Sequence, residues 1–396
     1  MRRWLDEFEQ FAIEVILGKR RGKRAALLRW FLAGLAWLYR GIVQLRLWLY
    51  RKRMIRERQL GCLVISIGNL TVGGTGKTPV VEKFARTLQD GGRKVAILSR
   101  GYKSRKPPLL KRLSNRFGKE EEFVPRIVSD GRRVLLNSRD AGDEPFMLAS
   151  NLKDVIVLVD KDRVKSGIYA IEKLGCDTLL LDDGLQYLRL KHRLDVVLID
   201  RQAPFGNEYI LPRGTLREPP PNLRRASYIF ITKSVRGESN GELIARIRCY
   251  NRTAEIIECT HSPQYLQHLE NGSRQPLEFL EGRTIAAISA IAQPESFEAA
   301  LTGLGAKLIL TRHFADHHRF SEREIAGFIR RCVQRGVDAI LTTEKDSVRF
   351  PKIRNLDVPI YFLRVEIEIL SGEDSWHKCV DRICKPQPMI APERFF

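Results

Sequence analysis

The sequence predicts an α/β protein: a mainly parallel sheet with helices on both faces, followed by a smaller second α/β domain. Three observations predict it. Short, wholly apolar runs recur along the chain, as strands buried on both faces require. Segments of helical periodicity alternate with them. A glycine-rich turn joins the first such run to the first such helix, where anions are readily held.

Residues 1–58 stand apart from this pattern. They carry fifteen Lys or Arg against five Asp or Glu, a net +10 of the +21 borne by the whole chain. Such a balance implies an anionic partner, whether nucleic acid, lipid or phosphorylated substrate. The same segment is rich in large apolar residues, and three of the five tryptophans (Trp30, Trp37 and Trp48) lie in it within twenty residues of one another. Nucleic-acid arms are seldom so apolar, so the reading is an anionic membrane surface and no nucleic acid. A spanning helix needs about 20 predominantly apolar residues. Here the longest uncharged run, 30–39, is half that, and Arg29, Arg40 and Arg46 interrupt the rest. The expectation is an amphipathic or shallowly inserted helix, its arginines snorkelling and its Trp and Tyr at headgroup level. The alternative is a helix packed on the protein's own core. No small-residue cleavage site follows, so a removed signal peptide is not expected. Seven scattered cysteines without a C-x-x-C are expected to be reduced and buried.

The elements follow in order. Residues 62–67 read as a buried strand, and Pro79 opens a helix closed by Gly91 and Gly92. Residues 95–98 form the next strand, completing a βαβ unit. Further buried runs lie at 155–159, 178–181, 196–199 and 229–232, while 103–126 and 215–225 read as loops. These define a first domain over 59–235. From 236 to 285 the pattern loosens into less periodic strands and turns, a hinge. A second α/β pattern occupies 286–396: strands at 285–288, 307–310 and 339–342, a helix over 294–304, and another begun by the capping box of Ser321 and Glu324.

The glycine-rich turn reads Thr71, Val72, Gly73, Gly74, Thr75, Gly76, Lys77, Thr78. Apart from Thr71 in the first glycine position, this is the phosphate-binding P-loop, so the first domain is of the P-loop NTPase type. Its glycines let backbone N–H groups face phosphate oxygens, Lys77 reaches the β/γ-phosphates, and the Thr78 hydroxyl can hold Mg²⁺. No dinucleotide fingerprint is present, and 232–235 resembles a guanine-reading motif without its closing Asp, so ATP is the expected nucleotide.

Asp182 and Asp183 end an apolar strand, where acids lie beside a P-loop and hold its metal. Neighbours on a strand point opposite ways, so the two acids have different tasks. A solvated strand end is the bland alternative. Three further clusters, each of which alone could be an ordinary turn or surface group, are 141–145 with Asp143, 211–218 with Arg217 and Glu218, and 314–318 with His317. Transfer to a neutral hydroxyl needs a proton acceptor, which an Asp–His pair could supply.

These motifs, in this order, resemble the tetraacyldisaccharide 4′-kinase (lipid A 4′-kinase) family of Gram-negative bacteria. The resemblance rests on 68–79, 99–102, 141–145, 182–186, 205–207, 211–218, Asp316-His317 and 343–346. It implies transfer of the ATP γ-phosphate to the 4′-hydroxyl of a lipid A precursor, tetraacyldisaccharide 1-phosphate, at the cytoplasmic face of the inner membrane. No obligate protein partner is implied. By the same resemblance Asp143 is the catalytic base, paired with His317. Thr78, Glu218 and one or both of Asp182 and Asp183 arrange Mg²⁺. Arg100, Tyr102 and Arg163 handle the anionic lipid head. Tyr187 stands where many relatives carry His. Two competing readings are a soluble P-loop ATPase or ligase of the dethiobiotin synthetase or partitioning type, and a non-catalytic nucleotide-regulated scaffold.

Overall fold

The computed structural model describes residues 2–101, 124–352 and 356–384. Tyr102 and most of the basic 103–126 segment lie outside these. Two helices open the chain, α1 (Arg2–Ile16) and α2 (Lys23–Arg51). There follow β1 (Leu63–Asn69), α3 (Lys77–Asp90), β2 (Val95–Ser99), β3 (Arg126–Asp130), α4 (Ser138–Ala141), α5 (Asp143–Asn151), β4 (Ile156–Val159), α6 (Arg163–Glu172), β5 (Thr178–Asp182), β6 (Leu194–Asp200), β7 (Tyr228–Thr232) and α7 (Gly241–Arg248). The remainder comprises β8 (Glu255–His268), β9 (Arg274–Gln275), β10 (Thr284–Ser289), α8 (Pro294–Gly303), β11 (Lys307–His313), α9 (Glu322–Gln334), β12 (Ala339–Thr343), α10 (Glu344–Ser347), β13 (Ile360–Ser371) and α11 (Glu373–Cys384).

The strands join in one sheet, in the order β11-β10-β12-β13-β8-β7-β6-β1-β5-β2-β4-β3, with β9 beside β8. Pairing is parallel except for β3 on β4, β9 on β8, and β8 on β13. The P-loop strand β1 is central and buried, and β5, which ends in the paired acids, lies directly beside it. Accordingly β1 and β2 are not neighbours: β5 sits between them, parallel to both.

The stretch expected to be an irregular hinge holds a 14-residue strand, β8. Its first residues pair with β7, while its length runs antiparallel to β13, whose own first residues pair with β12. Two parallel half-sheets are thus sewn together by a two-stranded ribbon. The strand was hard to read because a register shift falls at Arg364/Val365, and because His261, Ser262, Pro263 and Gln264 interrupt its apolar alternation.

The last helix also departs from the expected division, in which everything beyond 286 belonged to the second domain. Helix α11 buries Trp376, Cys379 and Ile383 at helical spacing in the core of the first half. The Trp376 ring meets Phe84 of α3 at 4.7 Å and Phe230 of β7 at 6.1 Å, both edge-on. Its apolar stripe is the reason: α11 has nowhere else to bury it.

Helix α2 buries only Ala25, Ala36 and Leu47. Trp30 is 79% and Trp37 78% exposed, with Phe31, Leu38 and Ile42 beside them. A helix belonging to the protein's own core would bury these side chains, so the packed-helix alternative fails. By length and composition α2 could cross a membrane. Its C-terminal half is tied to the first half of the sheet, Gln44 Nε2 donating to Asn222 at 3.2 Å and Arg46 to the Gln186 carbonyl at 3.2 Å.

Candidate active site

The phosphate loop leaves β1 at Asn69 and enters α3 at Lys77. Asn69 Nδ2 donates to the Thr71 carbonyl at 2.8 Å and to its hydroxyl at 3.1 Å, and Val72 N–H donates to the Thr215 carbonyl at 2.7 Å. Those bonds fix the base of the loop and leave Val72, Gly73 and Gly74 exposed at its tip. Gly76 caps α3 in the left-handed region (φ 75°), and a Cβ there would lie 2.8 Å from the His261 ring on β8. Only glycine meets both demands. Lys77 Nζ donates to Asn69 Oδ1 at 3.1 Å and lies 3.6 Å from Asp183. Thr78 is buried in the first turn, and the buried Thr75 hydroxyl has no hydrogen-bond partner among the described residues. The loop's base is therefore fixed while its tip stays open.

The two acids diverge because β5 ends at Asp182 and the chain turns at Asp183. Asp182 is buried and accepts from the Ser99 hydroxyl at 3.0 Å. Burial, then the nearby Glu144 and Asp183 charges, push its carboxyl up to about 6. Asp183 turns away with φ 54°, and both of its oxygens accept from Arg217 at 2.8 Å. Burial pushes its carboxyl up too, but Lys77 and Arg217 outweigh that and hold it below the usual range.

Glu218 is carried beside the loop because Arg217 N–H donates to the Leu70 carbonyl at 2.6 Å. Its oxygens accept from Gln186 at 3.0 Å and from Asn222 and Arg225 at 2.7 Å each.

These groups suit a magnesium ion. A buried carboxyl pushed up in pKa, a second acid beside it and a buried threonine hydroxyl are hard oxygen donors of the kind such an ion takes. Among the described residues no three His, Cys, Asp or Glu side chains form a closed cage. An ion held mainly through nucleotide oxygens and water, with one or two carboxylates, needs none.

The lipid-head role expected of Arg163 does not fit its placement. It is 4% exposed, and its guanidinium donates to the carbonyls of Asp182 at 2.9 Å and Asp183 at 3.1 Å, stacked 5.1 Å from Tyr187. Arg163 clamps the backbone that carries the acids. Arg100 lies exposed just beyond β2.

Asp143 begins α5, and His317 follows β11 in the other half of the chain. The structure brings them together: His317 Nδ1 lies 3.3 Å from Asp143 Oδ2. Sequence reasoning missed their company. Arg319 donates to Asp143 Oδ1 at 3.0 Å, and Arg349 Nε to Oδ2 at 2.8 Å. Burial pushes the Asp143 carboxyl up, but its charged and hydrogen-bonding neighbours, Arg349 and Arg319 among them, outweigh it, and the net shift is downward. Glu144, the next residue, is among the charges that raise the Asp182 carboxyl. Arg349 had only its place three residues after the 343–346 motif. Arg319 had only its place behind two histidines.

A buried ion network joins the halves nearby. Arg364 of β13 donates to both oxygens of Glu344 at 2.9 Å and to Glu82 of α3 at 3.2 Å.

Fold and site together define a P-loop kinase, its phosphate loop and acids in one half and a histidine supplied from the other. The chain belongs to the tetraacyldisaccharide 4′-kinase family: the family model described as tetraacyldisaccharide-1-P 4′-kinase matches residues 28–385. The tetraacyldisaccharide 4′-kinase of Syntrophus aciditrophicus is 36% identical over 84% of this chain and 87% of its own. That of Pelobacter propionicus is 40% identical over 79% and 80%. The crystal structure of LpxK from Aquifex aeolicus in complex with ATP superposes with a TM-score of 0.70 at 28% identity, covering 90% of this chain and 99% of that one.

Proposed function

We propose that the protein transfers the γ-phosphoryl group of ATP to the 4′-hydroxyl of tetraacyldisaccharide 1-phosphate, a lipid A precursor, at the cytoplasmic face of the inner membrane. Family membership supports the reaction. The observation that carries the mechanism is the meeting of Asp143 with His317 across the two halves.

In this reading the loop N–H groups and Lys77 hold the β- and γ-phosphates, and Thr78 with Asp182 or Asp183 holds Mg²⁺. The ion supplies positive charge that offsets what builds up on the phosphate oxygens. Asp143, ionised at neutral pH, accepts the acceptor's hydroxyl proton; the O–P bond forms as the bond to the β-phosphate oxygen breaks, releasing ADP. A weak base suffices, because phosphoryl transfer is dominated by positioning and charge stabilisation and asks little of the proton acceptor. Arg163 fixes the backbone under the acids, and Glu218 braces the loop from its other side. Arg100 remains the described candidate for the lipid's anionic head.

Helix α2 seats the protein on the membrane. Its exposed Trp30, Phe31, Trp37 and Leu38 enter the interface while Arg29, Arg40 and Arg46 meet phosphates. Its attachment through Gln44 and Arg46 sets the site close to the surface from which the acceptor arrives.

The test is γ-labelled ATP with the disaccharide lipid acceptor in mixed micelles, read by thin-layer chromatography. A labelled lipid is expected. Label released only as inorganic phosphate would leave an ATPase and sink the proposal.

A further inference from the structure

His317 Nδ1 faces two groups that make opposite demands on it. Asp143 Oδ2, 3.3 Å away, can only accept a proton from it; Arg349 Nη2, 3.0 Å away, can only donate one. A guanidinium has five donors and no acceptor, whereas an ionised carboxylate has acceptors alone. One ring nitrogen cannot serve both. The shorter contact is to the arginine, and Asp143 does not need the histidine, since Arg319 and Arg349 Nε already occupy its two oxygens at 3.0 and 2.8 Å.

Arg349 is also held more firmly than anything else in the group. Its side chain is 0% exposed, and Nη1 donates to Asp346 at 2.9 Å and to the Ala290 carbonyl at 3.2 Å. Asp346 is itself fixed by the Ala290 N–H at 3.0 Å and the Thr343 hydroxyl at 2.7 Å. The fork of Arg349 is planar and rigid, so its other two nitrogens, Nε and Nη2, point in directions set by that anchorage. One meets Asp143 and the other His317.

We propose that Arg349 is a positioning residue of the transfer reaction: it makes His317 Nδ1 an acceptor, places the ring proton on Nε2, and aims Asp143. This rests on the reading of Asp143 and His317 as the reacting pair, and alters their relation. The histidine does not hold Asp143 through an Nδ1–H bond; both are held by a third residue. His317 then carries its proton on Nε2, which lies 3.9 Å from Asp316 Oδ2. Asp143 keeps lone pairs free of the imidazole for the acceptor's proton.

The test is two-bond ¹H–¹⁵N correlation of histidine-labelled full-length protein in detergent, with His317→Gln identifying the ring. The expected pattern is a bare, hydrogen-bonded Nδ1 and a protonated Nε2. A proton on Nδ1, in either the neutral ring or the imidazolium, overturns the proposal without any variant having to fold. Arg349→Lys keeps the charge and loses the fork. It is expected to lose the single-tautomer pattern and about 100-fold in kcat, the scale of misplacement by about 1 Å, with KM for ATP unchanged. A purely structural arginine would instead leave kcat and tautomer of the folded variant intact, which also overturns the proposal. Failure of the underlying reading looks different. A fully active Asp143→Asn enzyme removes the reacting pair whatever the tautomer, while an inactive one with Nδ1–H removes only the role of Arg349.

Discussion

At the scale of single residues, the phosphate loop and the acids make the sharpest predictions. Lys77→Ala should lower kcat roughly 100- to 1,000-fold, the usual cost of deleting a donor aimed at developing charge, while circular dichroism stays unchanged. Asp143→Asn and His317→Ala should each fall mainly in kcat. Because Arg349 binds both into one unit, the double variant should be little worse than the poorer single one; strictly multiplicative losses would show independent roles. Asp143 also makes a statement about pH. Its folded carboxyl lies below the ordinary 3.8, so its contribution to stability is fully present above that value and is lost as pH falls through the lower folded one. Titration of Asp143 should therefore leave no inflection in kcat across the neutral range. The loop and Asp182–Asp183 were legible in the sequence because backbone chemistry fixes their spacing. Arg319 and Arg349 were not, since nothing local ties an arginine to a carboxylate more than 170 residues away.

At the scale of elements, α2 and α11 carry opposite lessons. Removing residues 1–58 should release the protein from anionic vesicles at low salt and weaken use of the lipid acceptor, with ATP binding kept. Each basic residue near such a surface contributes about 1 kcal/mol, so unchanged co-sedimentation would deny the helix its membrane role. Trp376→Ala should destabilise the P-loop half by about 3–5 kcal/mol, measured by denaturant unfolding, although α11 follows the second half in the chain. The strands with unbroken apolar runs, β1, β2 and β4 to β7, were legible to within a few residues, because burial on both faces leaves a plain signature. The ribbon of β8 and β13 was not, its alternation being broken by polar residues and register shifts. Helix α11 was missed because its stripe shows that it packs, but not on which core.

At the scale of the whole molecule, the two halves are coupled by more than a hinge. Arg364 stands between Glu82 of the P-loop helix and Glu344 of the second half, all three buried. Arg364→Met would strand two carboxylates and should cost about 3–5 kcal/mol in thermal or chemical unfolding. A loss below about 1 kcal/mol would mean that the network is solvated in practice.

The way the sheet is sewn has a consequence for how the chain comes to be made. A ribosome releases the P-loop segment first, yet that half still lacks β13, the partner of β8, and the Trp376 helix. Its apolar wall around Phe84 and Phe230 stays uncovered until α11 has been made. Domains that close early fold as they emerge; this one must wait. Nascent chains stalled before β13 should be protease-sensitive throughout and captured by chaperones, and protection of the P-loop half should appear only when α11 has left the exit tunnel.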